Sequence, residues 1–273
     1  MQTLSSAHLV NSHASFLDKA EHMSSAAAKA YQPAGNELRD RIILVTGAGD
    51  GLGRASAHAF ARHGASVILL GRTTRKLEQV YDEIMAAGGP EPSIAALDLS
   101  RAHGSDYTGL AEQISTGWGR LDGLLHNAAM LGQRAPIEHY DIGVWHQVMH
   151  LDLNVPFILT QTLLPLLRKS ADASVLFTSS SVGRRGRAYW GAYAVAKAGI
   201  ENLAQVLADE TSGQGQMRVN CINPGACRTR MRREAYPGED PETRPEPASL
   251  MNPYLYLMGP ASRGVTGQSI DCQ

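Results

Sequence analysis

Tyr193 and Lys197 stand four residues apart, and Ser180 precedes the tyrosine by thirteen. On a helix the four-residue spacing puts a phenol and an ammonium on one face. Together they can act as a proton-transfer pair. A free phenol has a pKa of about 10, too high for acid–base work near neutrality. One ammonium at ~4 Å in an effective dielectric of ~20 contributes about 4 kcal/mol, roughly three pKa units. Lys197 is therefore expected to bring Tyr193 toward neutral pH unaided. A Tyr–Lys pair alone is usually solvated surface, so the weight comes from what surrounds it.

Far upstream, an apolar run ends in Thr46-Gly47-Ala48-Gly49-Asp50-Gly51-Leu52-Gly53. Glycines there let the backbone turn tightly and let phosphate oxygens approach a helix N-terminus. The common G-x-G-x-x-G spacing fails, because Leu52 occupies the third glycine's place. The spacing T-G-x-x-x-G-x-G fits, through Thr46, Gly47, Gly51 and Gly53. A second strand pattern ends Leu69-Leu70-Gly71-Arg72. Where an NAD enzyme places an acid for the ribose hydroxyls, this chain has Gly71 and then a guanidinium. Arg72 suits a 2′-phosphate, to which it can donate two parallel hydrogen bonds. Arg75 and Lys76 add positive charge. The expected cofactor is NADP(H), with Asp98 accepting from the adenine amino group and Leu99 beside it.

These residues need a scaffold that brings strand ends together. From Arg41 onward the chain alternates strand and helix patterns. Strands are expected at 41–46, 66–70, 93–96, 123–126, 174–178 and 218–222, with helices between them. The helix after Arg72 shows Leu77, Val80, Tyr81, Ile84 and Met85 on one face and stops at Gly88-Gly89-Pro90. Such alternation means an α/β, single-domain Rossmann fold: a doubly wound parallel sheet with helices on both faces. The proline- and charge-rich stretch from Ala226 to Asn252 breaks the rhythm and can reach the ligand crevice as a lid.

The 273 residues, 43% hydrophobic and 19% charged, suit one large soluble domain. A formal net charge of -1 gives no sign of nucleic acid or an acidic membrane surface. No apolar run approaches the ~18 residues of a membrane helix. Three cysteines without disulfide-like spacing favour a reducing, cytoplasmic setting. Residues 1–30 read as a disordered extension with no periodic apolar face, dispensable for the fold, or as residues upstream of a true start at Met23, and residues 31–273 as the domain.

Five motifs now stand in one register: Thr46-Gly47-x-x-x-Gly51-x-Gly53, His126-Asn127-Ala128-Ala129, Ser180, Tyr193-x-x-x-Lys197 and Pro224-Gly225-x-x-x-Thr229. In order and spacing they resemble the short-chain dehydrogenase/reductase family, from about Tyr31 to Asp271. More narrowly, Arg41-Ile-Ile-Leu-Val-Thr-Gly, Ser179-Ser-Ser-Val-Gly-Arg and Arg218-Val-Asn-Cys-Ile-Asn-Pro-Gly resemble the bacterial YciK-type oxidoreductases. The resemblance implies a nicotinamide cofactor, a small-molecule carbonyl or alcohol substrate, and a homodimer or homotetramer. It implies that Tyr193 passes its proton to a carbonyl oxygen as hydride arrives, and that Ser180 holds that oxygen. It gives Lys197 the nicotinamide ribose as well as the phenol. Gly47, Asp50, Gly51, Leu52 and Gly53 would surround the cofactor phosphates, Asn127 would border the cofactor, and Pro224, Gly225 and Thr229 would meet its carboxamide end. Counting from Trp145, the family's catalytic Asn falls at Asp152, two residues before Asn154.

Other readings are weaker. An enoyl reductase of this fold separates Tyr and Lys by six, an extended epimerase shows T-G-x-x-G-x-x-G, and a serine hydrolase needs G-x-S-x-G around Ser180. His146 and His150 lack a third ligand, so no metal is expected. A non-enzymatic NADP-binding sensor or scaffold has Asp152 in its favour and Ser180, Tyr193 and Lys197 against it. Arg184, Arg185, Arg187, Arg228, Arg230, Arg232 and Arg233 are candidates to border the active-site mouth and to select an acidic or phosphorylated substrate.

Overall fold

The computed structural model describes residues 25–214 and 216–273. Its sheet has seven parallel strands: β1 (Ile42–Thr46), β2 (Ser66–Gly71), β3 (Ser93–Ala96), β4 (Gly123–His126), β5 (Ala173–Thr178), β6 (Met217–Asn223) and β7 (Ser269–Asp271). Their order is β3-β2-β1-β4-β5-β6-β7. The direction of winding reverses between β1 and β4, and a ligand crevice belongs beyond the carboxyl ends of the strands there.

Strand residues alternate between two cores, as the two-residue period requires. Ile43, Val45, Val67, Leu69, Leu125, Leu176 and Ile222 face one way. They pack on α2 (Gly51–Arg62), α3 (Thr74–Ala86) and α10 (Met251–Met258). Ile42, Leu44, Ile68, Leu70, Leu124, Val175, Phe177 and Val219 face the other way. They meet α4 (Gly104–Trp118), α6 (Val155–Leu167) and α8 (Gly191–Thr211). The sheet is therefore doubly wound, and its inner strands β1, β2, β4 and β5 read as near-continuous apolar runs because both faces are covered.

Helix α5 (Ile142–Met149) runs into α6 through a π turn at His150–Asn154. Pro156 explains the loosening: it has no N–H to return to the Asp152 carbonyl. The stretch from Ala226 to Asn252 is more ordered than its composition suggests. It holds α9 (Arg230–Ala235) and two 3-10 turns, Pro241–Thr243 and Pro247–Leu250, before α10. A fourth short helix, α7 (Ser181–Arg184), follows β5 directly.

Two features depart from the sequence reading. Strand β7 was not foreseen, since three residues carry no periodicity. Residues 25–30, placed in the extension, form a helix, α1. Ala28 is fully buried in the core against α10, and the Tyr31 ring lies 5.4 Å from that of Tyr256. An alanine-rich turn can dock through one small side chain, without the long apolar stripe that periodicity detects. The rest of the expected extension, residues 1–24, lies outside the described residues.

At the amino ends of the central strands the chain buries an ion network. Arg41 pairs with Asp172 at 3.1 Å and donates to the Asp122 and Asp172 carbonyls. Arg218 pairs with the same Asp172. Asp122 accepts from the Ile42 N–H at 3.0 Å and from the Ser170 hydroxyl at 2.5 Å. Asp172 thus neutralises two buried guanidiniums at once. Asp172→Asn is expected to cost about 3 kcal/mol, because both cations stay behind. Urea unfolding measures it; a change below about 1 kcal/mol would show that solvent screens the network.

Candidate active site

A crevice of about 1850 Å³ opens beyond the carboxyl ends of the strands. At its floor Thr46 ties β1 to β4. Its Oγ1 accepts from the N–H groups of Asn127 and Ala128, at 2.9 and 3.0 Å, and Asn127 Nδ2 donates back to the Thr46 carbonyl at 3.3 Å. The glycine turn passes against this junction. A Cβ on Gly53 would stand 2.2 Å from the Gly47 carbonyl oxygen, so only glycine fits. Gly47 has φ +67°, and a Cβ there would meet Ala128 Cα at 3.1 Å. The turn delivers the chain into α2, capped by the Asp50 side chain, which accepts from the Gly51 N–H at 2.8 Å.

Gly47, Asp50, Gly51, Leu52, Arg72, Asp98, Leu99, Asn127, Pro224, Gly225 and Thr229 all line the crevice. Several have structural duties there. The second oxygen of Asp50 holds Lys76 at 2.6 Å, so this lysine is not the free phosphate cation expected from its position. Asp98 accepts from the N–H and hydroxyl of Ser100, at 3.1 and 2.7 Å. Thr229 Oγ1 caps α9 by accepting from the Arg232 N–H. Arg72 forms no ion pair among the described residues and is exposed at the end of β2.

Tyr193 and Lys197 project from the first turns of α8, and both line the crevice with Ser180, which caps α7. Tyr193 is 8% exposed and Lys197 only 4%. The Lys197 ammonium donates to the Thr178 carbonyl at 3.0 Å and lies 5.5 Å from the centre of the Tyr193 ring. The expectation that the ammonium alone brings the phenol toward neutrality does not hold for the protein by itself. Burial raises the Tyr193 pKa, the Asp152 carboxylate raises it further, and a hydrogen bond from Ser180 opposes both. Burial likewise lowers the Lys197 pKa, against the pull of Asp152. The sequence reading counted only a closer ammonium and left out desolvation, which is the largest influence on both groups and reverses the result.

Asp152 sits in the π turn, 1% exposed. Its Oδ1 accepts from the Met130 N–H at 2.8 Å, and its Oδ2 has no hydrogen-bond partner among the described residues. Burial pushes its carboxyl up to about 6, while Lys197 and the Met130 N–H pull the other way. Asn154 is exposed and outside the crevice lining.

Sequence reasoning missed three parts of this region. His126 is fully enclosed, stacked on Phe177 with ring centres 4.7 Å apart, and its Nε2 meets Thr160 Oγ1 at 2.8 Å. Burial and then Lys197 hold its pKa down, at about 3, so it stays neutral. Second, an aromatic wall adjoins the phenol. Trp190 lies 5.7 Å from Tyr193 and 6.1 Å from Tyr236, and the Arg134 guanidinium lies over both Trp190 and Tyr236, 4.7 and 4.9 Å from their centres. Arg232 lies over Tyr236 as well, at 3.8 Å. Arg134 lies far from Trp190 in sequence, so no local pattern signals the stack. Third, most arginines placed at the mouth are already paired. Arg184 turns away to Asp271 and Ser269 on β7. Arg228 binds Glu242 and Glu246, Arg230 binds Glu234, and Arg232 shares Glu239 with Arg244. Of the arginines after Ser180, Arg187 lines the crevice.

Residues 41–240 match the short chain dehydrogenase family. The chain is 51% identical to the Escherichia coli (strain K12) oxidoreductase YciK over 243 residues, covering 89% of this chain and 96% of that one. A short chain dehydrogenase from Shigella flexneri 2a strain 301, complexed with NADP, superposes with a TM-score of 0.85 at 51% identity, covering 88% of this chain and 99% of that one. One from Escherichia coli CFT073, complexed with NADPH, gives 0.86 at 52% identity, covering 88% and 100%.

The buried carboxyl of Asp152 has a consequence for stability. Its folded pKa of about 6 exceeds the usual 3.8. The folded state therefore holds the proton more tightly than the unfolded one. Ionisation costs stability above about pH 6, and the cost fades as pH falls from 6 toward 4. Two pKa units correspond to about 3 kcal/mol at neutrality. Asp152→Asn should thus stabilise the fold at pH 7.5 and leave it nearly unchanged at pH 4, by thermal or urea unfolding. An equal gain at both values would mean the carboxyl is not the cause.

Proposed function

The chain belongs to the short-chain dehydrogenase/reductase family, and we propose that it is an NADP-dependent oxidoreductase interconverting a carbonyl and an alcohol by hydride transfer. The observation that carries the reading is the convergence of Ser180, Tyr193 and Lys197, with the glycine turn and Arg72, on one crevice. Bound NADP(H) supplies or accepts the hydride at the carbonyl carbon.

The residues fit such a cofactor. Gly47 lines the crevice without a side chain, Gly53 lets the turn close tightly behind it, and the N-terminus of α2 favours anionic phosphate beside it. Gly47, Gly51, Leu52 and Gly53 would hold the pyrophosphate, with Asp50 fixing the cap. Arg72 would take the 2′-phosphate, and Asp98 and Leu99 the adenine. Asn127 would flank the ribose that Tyr193 and Lys197 also reach, and Pro224, Gly225 and Thr229 would meet the carboxamide.

Ser180 would donate to the substrate oxygen and keep it near the Tyr193 hydroxyl. Tyr193 would pass its proton to that oxygen in reduction and take it back in oxidation. Lys197 stabilises the resulting phenolate and, anchored by the Thr178 carbonyl, cannot swing away. Asp152 would orient the loop after β4 through Met130. A pure binding protein gains nothing from burying a phenol, an ammonium and a carboxyl together, which weighs against a sensor or scaffold.

The substrate side of the crevice includes Met130, Leu131, Val144, Trp190, Met231 and Tyr236. With most nearby arginines tied to acids, this wall suits an uncharged carbonyl compound with an apolar body. It replaces the acidic or phosphorylated substrate suggested by the arginine count. Exposed Val195 and Val206 share a face of α8, eleven residues apart, and Phe157 is exposed on α6. These apolar side chains are the surface through which a homodimer or homotetramer would assemble. Among the described residues no helix is long and apolar enough to cross a membrane.

Two substitutions test the reading. Tyr193→Phe should reduce NADPH-dependent carbonyl reduction by ~10²–10⁴-fold with NADPH affinity nearly unchanged, since only the transferable proton is lost. Retention of a tenth of the rate would remove Tyr193 from the chemistry. Arg72→Ala should weaken NADPH by roughly ten- to a hundredfold and leave NADH unaltered, as measured by fluorescence titration. Equal affinities of the parent for the two cofactors would sink the NADP assignment.

A further inference from the structure

We propose that Gln273 is a positioning residue for the Pro224–Gly225–Ala226 loop of the cofactor crevice, and that Lys29 of α1 holds it there. The proposal rests on the cofactor reading above and goes beyond it, since neither residue belongs to a motif. The loop leaves β6, lines the crevice and enters α9 at Thr229. It has no regular secondary structure of its own. Gly225 lies in the left-handed region, φ +72°, and Pro224 has no N–H to offer a neighbour.

The chain supplies partners from its far end. Gln273 Nε2 donates to the Pro224 carbonyl at 2.6 Å and to the Ala226 carbonyl at 3.2 Å, on either side of Gly225. The amide presses on the glycine itself: a Cβ on Gly225 would come within 2.6 Å of Nε2. Just before it, the Cys272 N–H donates to the Asn223 carbonyl at 2.9 Å, continuing the pairing of β6 with β7. Asn223 in turn donates through Nδ2 to Asp271 Oδ1 at 2.8 Å and accepts the Gly225 N–H on Oδ1 at 3.1 Å. Residues 271–273 thus engage the loop at every step from Asn223 to Ala226.

The brace is itself held by α1. Lys29 Nζ donates to the Gln273 carbonyl at 2.5 Å, and the Asp271 N–H donates to Ser25 Oγ at 3.2 Å. Ala28 of the same helix is fully buried, which fixes α1 on the body. A load path therefore runs from the core through α1 and Gln273 to the crevice. An unbraced loop with a glycine in its middle would lose conformational freedom on closing over a cofactor, and that loss weakens binding. Ordering it in advance removes part of the cost. The sheet does not depend on the Gln273 amide, because the β6–β7 ladder is complete at Asn223↔Asp271.

Gln273→Met tests this, since it keeps length and packing but removes the donor. In fluorescence titrations without substrate, its NADPH Kd should rise roughly five- to tenfold, for two lost hydrogen bonds. The KM for the carbonyl substrate should stay within twofold. In the cofactor-free protein, amide hydrogen exchange across residues 223–228 should quicken while the β1 and β4 amides keep the parent rates. Lys29→Met should raise the NADPH Kd about two- to threefold in the parent and add nothing to Gln273→Met, because it acts through the same side chain. It also stands in if Gln273→Met does not fold. A folded Gln273→Met with parental Kd and parental exchange at 223–228 overturns the brace. So does a lowered melting temperature with both readouts unchanged, which would make Gln273 merely structural. Failure of the parent to bind NADPH would instead refute the cofactor reading, and the exchange experiment would still decide the brace.

Discussion

The ammonium of Lys197 is buried under the carboxyl edge of the sheet, and much of the crevice is arranged around that charge. A cation so placed needs partners. It donates to the Thr178 carbonyl at the end of β5, and the charge of the buried Asp152 carboxyl favours it. The same charge, added to burial, keeps His126 neutral on Phe177. Helix α8 can carry Lys197 this deep because Gly183 of α7 has no side chain: a Cβ there would lie 2.8 Å from Lys197 Cβ. The order of elements β5, α7, α8 thus places Ser180, Tyr193 and Lys197 together by packing one glycine against one lysine.

The two ends of the sheet divide the work. At the amino ends, charges are paired within the protein, Asp172 serving Arg41 and Arg218. At the carboxyl ends, polar groups face the crevice: the turn before α2, Arg72, which has no ion pair among the described residues, and Ser180 and Tyr193. One end holds the strands in register with its polarity, and the other opens it to the crevice. The reversal of strand order between β1 and β4 keeps the second end open, and Thr46 closes the seam below it.

What was legible in the sequence follows from range. Strand and helix periods, the glycine turn and the i, i+4 pair are local, and the structure puts each on the element its spacing implied. Strand β7, helix α1, Arg134 over its two rings and Gln273 against Gly225 depend on contacts across the whole chain. No window of sequence contains them. The phenol is a different kind of miss. Its partner was identified, but the magnitude of burial was not, and burial decides the sign of its pKa shift. The arginines near the mouth failed for a related reason. Counting cations ignored Glu239, Glu242 and Glu246, which the stretch from Ala226 to Asn252 folds back onto them.

Asp152, where the resemblance leads us to expect Asn, meets the same geometric demands an Asn would meet. The hydrogen bond to the Met130 N–H needs only an oxygen acceptor, and Asp and Asn both supply one. The π turn depends on Pro156 and the backbone, not on the side chain at 152. Neither geometric requirement distinguishes the two residues. Only the second atom does: an Asn would present two donors where Asp152 Oδ2 has no partner among the described residues. That atom either carries a charge that opposes the tyrosinate or holds a proton and donates as an amide would. Burial favours the proton and Lys197 the charge, and the balance falls at about pH 6. An Asp at this place therefore keeps the backbone geometry and acts through its charge, on the stability of the fold above about pH 6 and on the proton balance of Tyr193 and Lys197.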